Sequence, residues 1–113
     1  MGRIRAPSVD VSNFHIVHSR FGTPEEVAEC VDRPVERIQA PDEVSIRMRL
    51  APVNPADINM LEGTYGKRPE LPSTPGSEGC GVVDAVGPEV TSVAVGDVVA
   101  LIDGDGVWRS QMV

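Results

Sequence analysis

Aromatic residues are scarce: one Tyr, one Trp and two Phe in 113 residues. Cysteine is scarcer still. Cys30 and Cys80 lie far apart and have no Cys or His at metal-ligand spacing. They read as buried, reduced thiols. Basic residues are outnumbered, 10 Lys and Arg against 17 Asp and Glu, for a net charge of −7. The calculated pI is 4.7. That balance argues against a nucleic-acid partner, which needs a basic face, and fits a soluble intracellular protein. No apolar run approaches the length of a membrane span. The opening M-G-R-I-R-A-P-S-V-D is faintly basic and has no apolar core. It is therefore neither a secretory signal nor a clear transit peptide, and the expected location is the cytoplasm or the mitochondrial matrix.

Chemical fingerprints are missing too. No G-x-G-x-x-G follows a strand, no G-x-x-x-x-G-K-[ST] occurs, and no Ser-His-Asp set is recognisable. The segment Gly76 to Gly81 orders its glycines differently and runs into a strand pattern, where they suit close backbone packing. His15 and His18 fall three apart in the first strand region. Odd spacing puts them on opposite faces of a strand, so they read as surface or strand residues rather than a metal pair.

What is present is a chain cut short and often by 10 prolines and 11 glycines. A chain of this length forms one domain and buries about two thirds of its unfolded surface. Val44, Ile46, Met48 and Leu50 alternate with Ser45, Arg47 and Arg49, which predicts a strand with one apolar and one polar face. Phe14, Ile16 and Val17 predict an opening strand that ends near Gly22. Val27 to Val31, the run of Val82, Val83 and Val86, Val98 to Ile102, and Val107 to Val113 predict further strands. The last is entered through the turn Asp103-Gly104-Asp105-Gly106. Short strands with Gly/Pro turns indicate a small closed or partly open all-β unit.

One segment departs from this pattern: N-P-A-D-I-N-M-L-E-G-T-Y, from Asn54 to Tyr65. Asn54 is placed as an N-cap, Pro55 at the first helical position and Gly63 at the end. A short helix over Pro55 to Leu61 follows, with Tyr65 just past it. The loop Gly63 to Pro75 holds three prolines and few apolar residues, so it should lie on the surface. Two readings of Tyr65 stay open. Its hydroxyl has a chemical role, or the ring lies over a small core with the hydroxyl in water.

The spacing Gly76-x-Glu78-Gly79-x-Gly81-Val82-Val83-x-x-Val86-Gly87-x-x-Val90, then Gly96-Asp97-x-Val99, resembles one known family when joined to Val53-Asn54-Pro55-Ala56-Asp57. It is similar to the N-terminal, GroES-like catalytic domain of the medium-chain dehydrogenase/reductases, from about Phe14 onward. The implied fold is mainly β, a partly open GroES-like barrel with one or two short helices. In the zinc alcohol dehydrogenases a Cys and a His hold the catalytic metal. Asn54 and Ser77 stand at those positions here, and the four-Cys zinc lobe is missing. Zinc wants thiolate and imidazole ligands, so the resemblance implies a zinc-independent reductase and no metal.

The finer resemblance is to the trans-2-enoyl thioester reductases of fatty-acid synthesis, of the mitochondrial type. It rests on Asn54 to Asn59, on Met60 to Tyr65 and on Gly106-Val107-Trp108-Arg109. Quinone oxidoreductases share the first piece and are the alternative within the superfamily. A stand-alone GroES-like binding or oligomerisation module is the alternative of another class. The resemblance implies an NADPH-dependent reduction of the 2,3-double bond of an enoyl thioester, carried by coenzyme A or an acyl carrier protein. Hydride reaches C3, and charge develops on C2 and the carbonyl oxygen. Tyr65 matches the family's catalytic tyrosine. A free phenol titrates near pH ~10 and donates at neutral pH. Further assignments give Asn54 to the nicotinamide side, or to capping alone. Lys67 and Arg68 go to the phosphates of the carrier, or to solvent. Trp108 goes to the acyl group, or to packing against the barrel. Asp57 is expected to satisfy local backbone amides. Family members continue into a nucleotide-binding Rossmann domain, and a homodimer is the assembly the resemblance implies at full length. Residues 1–113 correspond to the catalytic domain without that Rossmann domain, so the chain alone is expected to be inactive.

Overall fold

The computed structural model describes residues 12–113; the basic opening segment lies outside them. Two antiparallel sheets make up the frame. Strands β1 (Ser12–Val17) and β2 (Glu29–Pro34) pair with Ser12 opposite Pro34 and Val17 opposite Glu29. Strands β3 (Val44–Leu50), β4 (Gly79–Val86), β5 (Val98–Leu101) and β6 (Gln111–Met112) form a second sheet in the order β5-β4-β3-β6. The helices are short: α1 (Pro24–Val27) and α2 (Pro55–Glu62). The fold is mainly β and its sheets are open, as the resemblance implied.

Glycine sets the closest approach between β3 and β4. A Cβ on Gly81 would run into the Arg47 carbonyl and lie 2.7 Å from Ile46 Cγ2. A Cβ on Gly79 would lie 2.7 Å from Val107 Cγ1. The glycines of the 76–81 run thus serve strand packing, because any side chain would push the ladder apart. The register shifts between Ser45 and Ile46 and again between Met48 and Leu50, so β3 bends away from a flat sheet.

A buried polar seam joins the two sheets. Asn13 of β1 and Gln111 of β6 are both fully buried. The Asn13 amide donates to Gln111 Oε1 at 3.1 Å, and the Gln111 N–H donates back to Asn13 Oδ1 at 3.0 Å. Gln111 Nε2 donates to Ser45 Oγ and to the Glu36 carbonyl, each at 2.9 Å. Burial of two amides is tolerated because their polar ends are paired.

Several expectations need correction. Val27 is not in a strand but ends α1, where Pro24 sits at the helix start and Glu25 and Glu26 fill the first turn. The segment from Val107 is strand only at Gln111–Met112, with an isolated bridge from Arg109 to His15. Cys30 is exposed and Cys80 half-buried. Cys30 lies on β2, which is bordered by β1 and largely uncovered. His18 is the reverse case, fully buried. On β3 the simple alternation also fails. Ser45 is buried in the seam while Leu50, still paired with Cys80 of β4, is 72% exposed, because the strand's end runs past β6.

Candidate active site

The site is built around α2. Asn54 precedes it in extended conformation and Pro55 occupies its first turn. Asp57, three residues on, returns its carboxylate to the Asn54 N–H at 2.8 Å. Asp57 is buried, so its carboxylate is spent on the helix start, as expected. The Asn54 amide donates outward, to Glu78 Oε2 at 3.1 Å. That contact ties the helix start to the approach of β4.

At the other end, Gly63 takes a left-handed conformation, φ 78°. A Cβ there would lie 2.8 Å from the Phe21 ring, so both backbone angle and space call for glycine. The next two amides fold back on the helix: Thr64 N–H reaches the Asn59 carbonyl at 2.9 Å and Tyr65 N–H the same carbonyl at 3.3 Å. Tyr65 is thereby held at the end of α2, with its side chain 48% exposed. Leu61 anchors the helix from below, almost fully buried.

Beneath the tyrosine turn lies a cluster the sequence did not announce. The Arg68 guanidinium stands 5.1 Å from the Phe21 ring centroid, a cation–π distance. Arg68 Nε donates to the Gly63 carbonyl at 3.1 Å. Phe21 meets His18 edge-on, 5.8 Å between centroids. His18 Nδ1 is 3.2 Å from the Arg20 carbonyl; a carbonyl only accepts, so Nδ1 carries the proton. The His18 main chain exchanges two hydrogen bonds with Ser73, at 2.9 and 3.0 Å. His18 therefore fastens the far end of the loop that begins at Gly63. A period of hydrophobicity could not reveal this, since the partners come from two distant stretches, His18 to Phe21 and Gly63 to Ser73.

Lys67 is exposed. Asn54 and Tyr65 stand at opposite ends of an eight-residue helix, roughly 12 Å apart along its axis at 1.5 Å per residue. Trp108 belongs to the Asn54 end. Its indole N–H donates to the Pro52 carbonyl at 3.3 Å. A Cβ on Gly76, which has φ 103°, would collide with its ring. One face of Trp108 is thus packed, and the side chain also walls an apolar cleft of about 380 Å³ with Phe14, Ile16, Met48, Leu50 and Val53. The sequence placed Phe14 and Leu50 in strands and Val53 beside the α2 motif, but nothing in it showed that the three share a cleft.

A second, polar cleft of about 340 Å³ gathers His15, Arg33, Ser73, Thr74, Asp105 and Arg109. Burial lowers the His15 pKa first, and the Arg109 charge lowers it further; Glu36 opposes them and Arg33 adds to them. Arg109 itself is paired with Glu36 at 2.8 Å. Among the described residues no three His, Cys, Asp or Glu side chains converge as a metal site, and no helix is long and apolar enough to cross a membrane.

The chain is 40% identical over 99 residues to the mitochondrial enoyl-[acyl-carrier-protein] reductase of Homo sapiens, a match covering 87% of this chain and 26% of the relative. It therefore spans about a quarter of the length of the curated relatives it matches. Its backbone superposes on the Etr1p/NADP/crotonyl-CoA complex with a TM-score of 0.80 at 27% identity, over 90% of this chain and 31% of that one. A quinone oxidoreductase of Pseudomonas syringae pv. Tomato DC3000 aligns with a TM-score of 0.75 at 38% identity, over 88% of this chain and 30% of that one. The profile described as "Alcohol dehydrogenase GroES-like domain" matches residues 40–109. Sequence match, open β sheets and the Pro-started helix between β3 and β4 agree, and the chain belongs to the alcohol dehydrogenase GroES-like domain family.

Proposed function

We propose that this chain is the tyrosine-bearing part of an NADPH-dependent 2-enoyl thioester reductase, with Tyr65 as the proton or hydrogen-bond donor. One observation carries the reading: the chain's sole tyrosine sits on a turn anchored at the end of α2 with its side chain 48% exposed. A tyrosine this exposed has room for its hydroxyl to meet a ligand. The relatives named as enoyl reductases and the fold shared with a crotonyl-CoA complex support the substrate class.

NADPH supplies the hydride in this reading. The described residues do not offer its pyrophosphate a cradle. The glycine-rich segment leads directly into β4, with no helix N-terminus behind it. The hydride donor would then be held chiefly by residues outside those described. What this chain contributes is the other half of the chemistry. As charge builds on C2 and the thioester oxygen, the Tyr65 O–H donates to it. A fixed donor to a developing oxyanion is worth about 2.7–4 kcal/mol. In this reading the reductase is zinc-independent, acts in the cytoplasm or mitochondrial matrix, and pairs as a homodimer when full length. Lys67, exposed on the surface, is the side chain this reading assigns to carrier phosphates.

The test is Tyr65→Phe in the full-length protein, assayed with NADPH and crotonyl-CoA. The ring stays and only the hydroxyl goes. The expected result is a fall in kcat of roughly 100- to 1,000-fold. Turnover within about twofold of the parent rate rules the role out.

A further inference from the structure

We propose that Arg68 is a positioning residue: it closes the turn that presents Tyr65 and acts on the reaction through that tyrosine. The inference rests on the donor role given to Tyr65. The turn is tied at its start, where Asn59 accepts from Thr64 and Tyr65. It is tied again at Ser73, through His18. Among the described residues no backbone hydrogen bond holds positions 66–72 between those points. Gly66, next to the tyrosine, has nothing within 4 Å of where a Cβ would stand. The main chain beside Tyr65 is therefore free to swing unless a side chain restrains it.

Arg68 is that restraint. Its Nε–H reaches back across five residues to the Gly63 carbonyl at 3.1 Å, closing Gly63 to Arg68 into a ring. Its guanidinium then lies over Phe21. Phe21 in turn presses on Gly63, where no Cβ fits, and rests against the buried His18. Each member of the stack is fixed by the one below it. The planar fork of arginine suits this place, since one edge donates to a carbonyl while the face covers a ring. Lysine has neither the Nε–H at that position nor the flat face. A phosphate contact would need only the charge, so the two roles separate chemically.

The experiment uses the full-length protein, with NADPH and crotonyl-CoA as probes. Arg68→Ala should lower kcat about tenfold and leave KM within about threefold, since small misplacement of a reacting group falls on turnover. Arg68→Lys should not restore kcat. In a Tyr65→Phe background the same Arg68→Ala change should cost less than about twofold, because residues acting through one another are not additive. Amide hydrogen exchange at Thr64 to Lys67 should quicken about tenfold in Arg68→Ala, with β3 and β4 unchanged. A raised KM with unchanged kcat that Arg68→Lys restores would overturn the proposal in favour of a phosphate contact. Equal losses in both backgrounds, or unaltered exchange in the turn, would overturn it as well. Unchanged turnover in Tyr65→Phe alone sinks the functional reading, while the exchange measurement still reports on the clasp.

Discussion

In the sheet half of the molecule one side chain, Gln111, takes part in four hydrogen bonds, to Asn13, the Glu36 N–H, the Glu36 carbonyl and Ser45. In the Tyr65 half, the turn hangs from one helix carbonyl, one arginine and a backbone pair at Ser73. The first region is buried and fully paired, so it has one arrangement. The second is exposed and sparsely tied, so its geometry depends on a few contacts. A reacting group belongs in the second kind of region because it must face a ligand, and a facing group cannot also be packed. The seam and the glycine-paired strands hold the frame against which the loose turn is aimed.

The largest expected effect probes the seam. Gln111→Leu fills similar space but orphans the Asn13 amide and the Glu36 N–H. At about 1–3 kcal/mol for each of these two groups, a loss of about 2–6 kcal/mol in urea unfolding is expected. A loss under about 0.5 kcal/mol would mean that the seam is wet, and the contrast between the halves would collapse.

A somewhat smaller effect is expected where the turn's support begins. Leu61→Ala removes the buried anchor of α2 and should cost about 2–3 kcal/mol, toward the low end for buried leucine since the short helix can settle. If unfolding is unaltered while turnover falls, α2 is held by its ends and not by its face.

The smallest effect is a pH dependence. Burial and then Arg109 hold the His15 pKa below its usual value of about 6.5. The folded state therefore binds that proton less readily than the unfolded chain. The contribution of His15 to stability is full above pH ~6.5 and is lost as pH falls through that value toward the lower folded pKa. Melting temperature should drop modestly between pH ~7.5 and ~5.5, and His15→Gln should flatten part of the drop. Parallel curves for the two proteins would show that the polar cleft leaves His15 well solvated.

Local rules worked where the physics is local. Asn54, Pro55 and Gly63 marked α2 within a residue, because caps and a left-handed terminus are set by neighbours in the chain. The runs around Val44, Val82 and Val98 marked β3, β4 and β5 for the same reason. The Asn54 to Tyr65 motif pointed to the family, and to Tyr65 as the residue to test. The loop from Gly63 to Pro75 was legible as surface from its prolines.

The rest was decided by contacts between distant stretches. His18 was read as a surface or strand residue; it bridges to Ser73, 55 positions later, and is buried. Cys30 was read as buried and is exposed, since burial depends on whether another element covers β2. Leu50 follows the apolar alternation yet faces a cleft, since β3 outruns β6. Arg68 stood among the residues for carrier phosphates; the fold brings it over Phe21, whose ring is 47 positions earlier. Sequence alone determined α2, most of the strands and the motif that marks the family. Only tertiary structure decided what braces the turn that carries Tyr65, because side-chain partnership across a sheet or a loop leaves no periodic trace in the chain.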